Sequence, residues 1–462
     1  MHSKKYDLIV IGSGPAGQKG AIAAAKLGKS VAIVDRRHLL GGVSLHSGTI
    51  PSKTLREAIL YLTGFRQRSF YGRDYRLKEK ITIGDLNARV HAVIEREMSV
   101  IVSQLQRNGV EILHGAAKFV DAHTLRVESD EADPMEYHAE HVLIACGTRP
   151  ARSAQVECDG RIVLVADQLG GIEALPKELI VVGGGVIGLE YASMFAALGI
   201  PVTIIDQRPT ILDFADEEIV DSLIVHMRAS GATFRLGEKV TEIVRDGTDP
   251  VVAHTESGKK IHGDMLLYTV GRQVNTDSLA LENVGIKADE RGRIAVNKGF
   301  QTSVENIYAA GDVIGFPSLA SAAMEQGRIA ATCMFDEDRC LLLGNMPYGI
   351  YTIPEISMVG KNEKDLTEAK IPYESGIARF AEIAKGQMVG DSSGVLKLLF
   401  DPKTLKVLGV HVIGESATEI IHIGQAVIAL GGTIEYFRDS VFNYPTFAEA
   451  YKVAALNGLN RL

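Results

Sequence analysis

"YDLIVIGSGPAGQKGAIAAAKLGKSVAIVD", residues 6–35, reads as a strand, a glycine turn, a helix and a second strand. The first apolar run ends at Ile11, and Gly12, Gly14 and Gly17 follow in GxGxxG spacing. An alanine-rich segment reaches Leu27, Gly28 caps it, and a second apolar run starts at Val31 and closes on Asp35. Each glycine has a mechanical task. Gly12 permits the tight turn, Gly14 lets the backbone approach a pyrophosphate, and Gly17 lets the helix pack on the strand. The helix N-terminus turns unpaired N–H groups and the positive dipole end toward phosphate. Asp35 is placed to accept hydrogen bonds from a ribose diol. A lone GxGxxG is weak evidence; here strand, helix, second strand and acid follow in order, which predicts a dinucleotide-binding unit.

The pattern returns at residues 178–206, "ELIVVGGGVIGLEYASMFAALGIPVTIID", with Gly183, Gly185 and Gly188 in the same spacing and Asp206 as the acid. Two fingerprints imply two dinucleotides. A flavin and a nicotinamide are expected, because hydride transfer is what such a pair does together. The hydrophobicity of 179–205 invites a membrane span, but Gly183, Gly184, Gly185, Gly188, Glu190 and Pro201 favour a buried strand, turn and helix.

Further segments fit around these units. "HVLIACGTRP" (141–150) is a strand leading through Gly147 to a chain crossing. "NIYAAGDVIGFPSLASAAMEQGRIAA" (306–331) is a strand, Gly311–Asp312, and a helix starting near Ser318. Asp312 is a candidate for the ribityl or pyrophosphate portion of a flavin, and that helix start for its pyrimidine edge. Beyond about residue 340 no dinucleotide motif occurs. "GVLKLLFDPKTLKVLGVHVIG" (394–414) predicts two strands joined at Asp-Pro, and 416–430 and 447–459 have helical spacing. His422, within the first of these, is read as a packed structural histidine.

The chain has 462 residues, enough for about three domains of roughly 150 residues. A net charge of -8 argues against a nucleic-acid partner. No secretory signal or membrane segment is read, and a cytoplasmic setting is expected. Cys146, Cys158, Cys333 and Cys340 form no CxxC and read as reduced thiols. Without CxxC or HxxxH spacing no metal site is expected.

The order "GSGPAG", "GTIPSK", "ACGTRP", "GGGVIGLE", "TVGR" (269–272), "AAGDV" and "NYPTFAEA" (443–450) closely resembles the flavoprotein disulfide reductases, over essentially the whole chain. The fold implied is α/β: two Rossmann-like dinucleotide-binding domains plus a C-terminal α+β dimerisation domain. The resemblance divides the chain into an FAD-binding part (1–150), an NAD(P)-binding domain (151–271), a return to the FAD domain (272–340) and an interface domain (341–462). It implies a homodimer or higher homo-oligomer. On the flavin side the candidate residues are Gly12, Gly14, Pro15, Ala16, Gly17, Asp35, Arg36, Gly42, Ser44, Thr49, Lys53, Gly115, Ala116, Gly147, Gly311, Asp312, Leu319 and Ala320. On the nicotinamide side they are Gly183, Gly185, Val186, Ile187, Gly188, Glu190, Asp206, Arg208 and Gly271. Lys53 and Glu190 match the family's catalytic lysine and its paired glutamate, a charge beside the flavin that favours its reduced form.

The departures are informative. In "GGVSLHSGTIPSK" (41–53) Ser44 and Thr49 stand where disulfide-reducing members carry a cysteine pair, and Pro51 is expected to break the helix there. A hydroxyl cannot perform thiolate–disulfide exchange. Tyr444 stands before Pro445 where those members carry a histidine base. A phenol with pKa near ~10 is a poor base at neutral pH. The subgroup that looks most similar is the soluble, Si-specific pyridine nucleotide transhydrogenases, through "GTIPSKTLREA" and "FNYPTFAEAYKVAALNGLNRL". The reaction implied is NADPH + NAD⁺ ⇌ NADP⁺ + NADH, with FAD as carrier and NAD and NADP as visiting nucleotides. Asp206 suits the 2′-hydroxyl of NAD, and Arg208 is placed to offset its repulsion of the NADP phosphate. The small Val186 is expected to let nucleotides exchange. Rival readings are an NAD(P)H diaphorase or quinone reductase, a disulfide reductase, and a non-catalytic flavin-bound regulatory protein.

Overall fold

Strand Lys5–Ile11 runs parallel to strand Val31–Asp35, in register from Leu8↔Val31 to Ile11↔Val34, with helix Pro15–Lys26 between them in sequence. Pro15 opens that helix, where its missing N–H would have no intrahelical partner. Gly28, at φ +78°, ends it in the left-handed region that glycine adopts at no steric cost. The computed structural model describes residues 4–36, 40–72, 74–129, 132–151, 156–245, 251–336, 338, 340 and 344–462.

The chain forms two units. The first holds residues 1–54, 88–151 and 271–343. Its sheet runs Glu111–His114, Val31–Asp35, Lys5–Ile11, Met135–Ile144, Thr124–Glu128, Ala116–Asp121. The first four strands are parallel; the last three form an antiparallel leaf. The long strand Met135–Ile144 serves both, since its C-terminal half also pairs in parallel with Ile307–Ala309. The outgoing strand Thr148–Pro150 and the returning strand Arg272–Val274 lie antiparallel, so the two chain crossings are paired with each other.

The second unit holds residues 55–87, 152–270 and 344–462. Its parallel sheet runs Ala232–Leu236, Val202–Asp206, Leu179–Val182, Met265–Tyr268, Val163–Val165. A second sheet of five antiparallel strands runs Tyr348–Ile350, Ile356–Gly360, Val407–Ile413, Val395–Phe400, Glu374–Arg379. The Asp-Pro segment joins two of these strands as expected, and helices Ala417–Ala429 and Glu449–Leu459 match the helical spacing. The mixed α/β architecture is therefore the one the motifs imply. Residues 179–206 fold as strand, helix Val186–Ala197 and strand, and no helix among the described residues is long and apolar enough to cross a membrane.

Four local expectations are corrected. Pro51 does not break a helix: it sits in the first turn of helix Thr49–Leu62, where proline costs no hydrogen bond. The later helix begins at Ala320, with Leu319 extended before it, two residues past Ser318. Cys333 and Cys340 are not reduced thiols but a disulfide; helix Ala320–Phe335 ends between them and the chain returns to a Cα–Cα distance of 4.5 Å. His422 is not packed in the core. Its helix buries Ala417, Ile421, Gly424 and Val427, which leaves His422 exposed on the other side with Nδ1 2.8 Å from Gln425 Oε1.

Candidate dinucleotide sites

In the first unit the turn after Ile11 is shaped by close backbone contacts. A Cβ on Gly12 (φ +104°) would lie 2.4 Å from the Ala145 carbonyl oxygen, and one on Gly17 would lie 1.9 Å from the Gly12 oxygen. At Gly14 the Cβ direction meets nothing within 4 Å. That combination, two glycines pressed on protein and one facing open space at a helix N-terminus, forms a cradle that could hold a pyrophosphate. Pro15 and Ala16 open the helix, and Gly42 (φ +62°) brings its own backbone against Gly14, where a Cβ would lie 3.0 Å from the Gly14 Cα.

Asp35 is held by the turn it faces. Ser13 donates to its Oδ2 from the backbone N–H at 2.9 Å and from Oγ at 2.5 Å. Ser13 Oγ also accepts from the Gly41 N–H at 3.0 Å, so one buried hydroxyl links the glycine turn, the acid and the Gly41–Gly42 corner. Arg36 follows on the exposed side. Gly115 N–H donates to the Asp35 carbonyl at 2.9 Å, which places Gly115 and Ala116 beside the same strand end.

A second helix N-terminus reaches this region. Helices Pro15–Lys26 and Ala320–Phe335 touch through glycine: a Cβ on Gly327 would lie 2.0 Å from the Ala16 carbonyl oxygen. Gly311 sits against both helix starts, its Cβ direction 3.1 Å from Ala16 Cβ and 3.5 Å from Ala323 Cβ. Its N–H donates to Gln326 Oε1 at 2.8 Å. Asp312 Oδ2 accepts from Thr148 Oγ1 at 2.9 Å, and Thr148 Oγ1 in turn accepts from Arg272 Nε at 2.8 Å. Arg272 also donates from Nη2 to the Thr148 carbonyl at 3.1 Å. Gly147 (φ +63°) and Gly271 (φ +87°) flank these crossings with open space at their Cβ directions. Sequence reasoning missed Ser13, Thr148, Arg272, Gln326 and Gly327. Ser13, Thr148 and Arg272 carried a signal, as members of "GSGPAG", "ACGTRP" and "TVGR".

Cys146, beside Gly147, is not a redox thiol in this setting: desolvation pushes it up to about 12, where no useful thiolate exists at neutral pH. Ser44 and Thr49 are half-buried, Ser44 in the short helix Gly42–His46 and Thr49 at the head of helix Thr49–Leu62. Lys53 lies on the first turns of that helix and is half-buried.

The second unit repeats the cradle. A Cβ on Gly188 would lie 2.0 Å from the Gly183 carbonyl oxygen and 2.7 Å from Thr269 Oγ1, while Gly185 faces open space. Thr269 Oγ1 donates to the Gly183 carbonyl at 3.0 Å, pinning the turn from the neighbouring strand end. Val186 and Ile187 begin the helix, and Glu190 is buried one turn on, its Oε1 accepting from the Tyr351 N–H at 2.9 Å.

Asp206 is paired with a guanidinium. Its Oδ1 accepts from the Arg208 N–H (2.8 Å) and Nε (3.0 Å); its Oδ2 accepts from the Gly184 N–H (2.6 Å) and Arg208 Nη2 (2.9 Å). Burial alone would raise this carboxyl's pKa. Hydrogen bonds from the Arg208 side chain and the Arg208 and Gly184 amides outweigh it, and the net shift is downward. Asp206 is buried and Arg208 is 44% exposed, so the acid is fixed and the cation is the partner able to turn.

Tyr444 stands out on the surface at 72% exposure, with Val441 at 94% and Leu430 at 87%. They share the C-terminal sheet-and-helix region, which presents unpartnered apolar side chains as an interface domain would.

Comparison with known proteins agrees with this geometry. A family model described as pyridine nucleotide-disulphide oxidoreductase matches residues 6–327, and its dimerisation-domain model matches residues 346–455. A soluble pyridine nucleotide transhydrogenase of Mycobacterium bovis is 53% identical over 461 residues, covering 99% of this chain and 98% of that protein. One from Klebsiella pneumoniae is 47% identical over 466 residues, covering 100% and 99%. Among solved structures, LpdA of Mycobacterium tuberculosis superposes with a TM-score of 0.90 at 26% identity, covering 98% and 99%. The HOCl-induced flavoprotein disulfide reductase RclA of Escherichia coli gives 0.86 at 28%, covering 98% and 99%.

Proposed function

The chain belongs to the pyridine nucleotide-disulphide oxidoreductase family, and from that premise we propose that it is an FAD-dependent transhydrogenase exchanging hydride between NADPH and NAD⁺. The observation that carries this reading is two glycine cradles in a chain with hydroxyls, Ser44 and Thr49, where thiols would take the electrons. Bound FAD supplies a carrier that accepts hydride from one nicotinamide and yields it to another. The residues of the first unit hold that carrier. The Gly12–Gly17 turn and the start of helix Pro15–Lys26 bind its pyrophosphate, Asp35 its ribose, and Asp312, fixed by Thr148, its ribityl or pyrophosphate portion. The start of helix Ala320–Phe335 presents N–H groups where negative charge collects. Lys53 adds a positive charge in the first unit; Glu190, in the second, is buried and accepts from the Tyr351 amide.

The nicotinamide substrates bind at Gly183–Gly188, with Asp206 and Arg208 on the adenosine ribose. The small Val186 at the helix start suits a site that must release one nucleotide before the next enters. A homodimer, supported by the match over residues 346–455, and a cytoplasmic setting, supported by the relatives named soluble, complete the reading.

The test is a two-step rapid mix. Anaerobic NADPH should bleach the bound flavin, and NAD⁺ added to the reduced protein should restore its absorbance while NADH forms. Restoration by quinone but not by NAD⁺ would establish the diaphorase instead. No bleaching at all would establish the regulatory protein.

The Cys333–Cys340 disulfide has no part in the exchange. Cys333 lies thirteen helical steps beyond Ala320, about 20 Å at 1.5 Å per residue. Cys333→Ser is therefore expected to keep transhydrogenase turnover within about twofold of the parent, a small effect typical of a group remote from the reacting atoms. A loss of two or more orders of magnitude would mean that electrons pass through this pair.

A further inference from the structure

On the outer leaf of the first unit, strand pairing brings together three side chains that the cofactor sites do not use. Thr124 pairs with His138 across the antiparallel strands, so His123, one residue earlier, lies diagonally opposite His138. Glu140, two residues beyond His138 on the same strand, projects from the same face. The His123 and His138 rings are stacked with centroids 5.7 Å apart and planes 23° from parallel. One nitrogen from each and one Glu140 carboxylate oxygen lie within 4.8 Å of one another.

The cluster is held from behind. The Ala139 N–H donates to the His123 carbonyl at 2.8 Å, and His123 Nδ1 lies 3.0 Å from the Ala139 carbonyl. Asn306 Nδ2 also lies 3.3 Å from His123 Nδ1, but its hydrogens are directed to the Ala122 carbonyl at 2.7 Å and the Glu140 carbonyl at 3.3 Å. Nδ1 is therefore the donor to Ala139, and Nε2 keeps the lone pair. A backbone carbonyl on one ring nitrogen is the usual way a ligating histidine has its tautomer set. His138 Nε2 and Glu140 Oε1 are 3.4 Å apart. That is about the edge of a tetrahedron with bonds of ~2.1 Å.

We propose that His123, His138 and Glu140 bind a divalent first-row transition metal ion through two imidazole nitrogens and one carboxylate oxygen. Nitrogen and oxygen donors without a thiolate suit Ni²⁺, Cu²⁺ or Zn²⁺ better than Ca²⁺ or Mg²⁺. The remaining coordination positions open to water. A bound ion would cross-link the 121–124 turn to strand Met135–Ile144. The sequence reading expects no metal site, because fourteen residues separate the two histidines and no short-range spacing marks them.

The test is a calorimetric titration of Ni²⁺ into the FAD-loaded full chain, stripped with chelator, in a non-coordinating buffer. One saturable equivalent per chain is expected, together with a higher Tm. His123→Ala and His138→Ala should each weaken binding about tenfold or more, and Glu140→Gln by less. All three variants should retain parental hydride exchange. No saturable binding, or an affinity unchanged in both histidine variants, would overturn the site.

Discussion

Replacing Gly188 with valine is expected to leave a flavin-loaded protein that neither NADPH nor NADH can reduce at a useful rate. A Cβ at this position would meet the Gly183 carbonyl oxygen at 2.0 Å and Thr269 Oγ1 at 2.7 Å. Neither can give way cheaply. Gly183 sits at φ +108° with its N–H bonded to the Ile205 carbonyl at 2.8 Å, and Thr269 is bonded back to the same turn. The helix Val186–Ala197 must instead move off its strand, carrying the Gly185 turn with it. Overpacking of this kind costs typically about 1–3 kcal/mol in stability. The cost to nucleotide binding is greater, because the phosphate cradle loses its shape. We expect kcat/KM for either nucleotide to fall about 10³-fold, roughly 4 kcal/mol of transition-state stabilisation. Gly12, Gly14 and Gly17 lie in the other unit and are untouched, so flavin content should be unchanged. Absorbance ratios give the flavin content and anaerobic reduction the rate. A variant reduced as fast as the parent would show that nicotinamide does not use this turn.

Arg208→Ala should change nucleotide preference more than turnover. Asp206 is negative, buried and held by the Gly184 and Arg208 amides, which remain when the side chain is removed. The adenosine 2′-phosphate of NADP would then face that carboxylate without a cation. Repulsion at 4 Å and an effective ε near 20 is about 4 kcal/mol per unit charge, and solvent at this half-exposed site lowers it. The charge-assisted hydrogen bond lost with the guanidinium is worth roughly 1.5–3 kcal/mol. Together these predict that the ratio of kcat/KM for NAD over NADP rises about 30- to 100-fold, almost entirely through weaker NADP use. In the parent, burial alone would raise Asp206, but hydrogen bonds from the Arg208 side chain and from the Arg208 and Gly184 amides hold it below the ordinary carboxylate range, so the acid that the 2′-phosphate faces is ionised at neutral pH. Steady-state kinetics with each nucleotide decide the matter. An unchanged ratio would mean that Arg208 serves only to neutralise Asp206.

These two variants bracket what the cradle and the acid contribute. The glycine positions act through shape, and their failure would be the same for both nucleotides. The Asp206–Arg208 pair acts through charge, and its failure would separate them. The proposed dual use rests on the asymmetry of the pair: a buried acid suited to a 2′-hydroxyl, and a half-exposed cation suited to a phosphate.

The two fingerprints were legible in the sequence because each is local. Turn, helix N-terminus, close helix–strand contact and terminal acid all lie within about thirty residues, and the backbone geometry that requires glycine leaves its mark at every position. The Asp-Pro hairpin of the C-terminal sheet was legible for the same reason. Tertiary structure alone decided the rest. The Arg272–Thr148–Asp312 chain, the Gly327–Ala16 contact, the Cys333–Cys340 disulfide and the His123, His138 and Glu140 cluster depend on strand register, helix crossing and where a helix ends. Such pairings join groups with no fixed offset along the chain. Periodicity records which face of an element is buried, but not which distant residue meets it there.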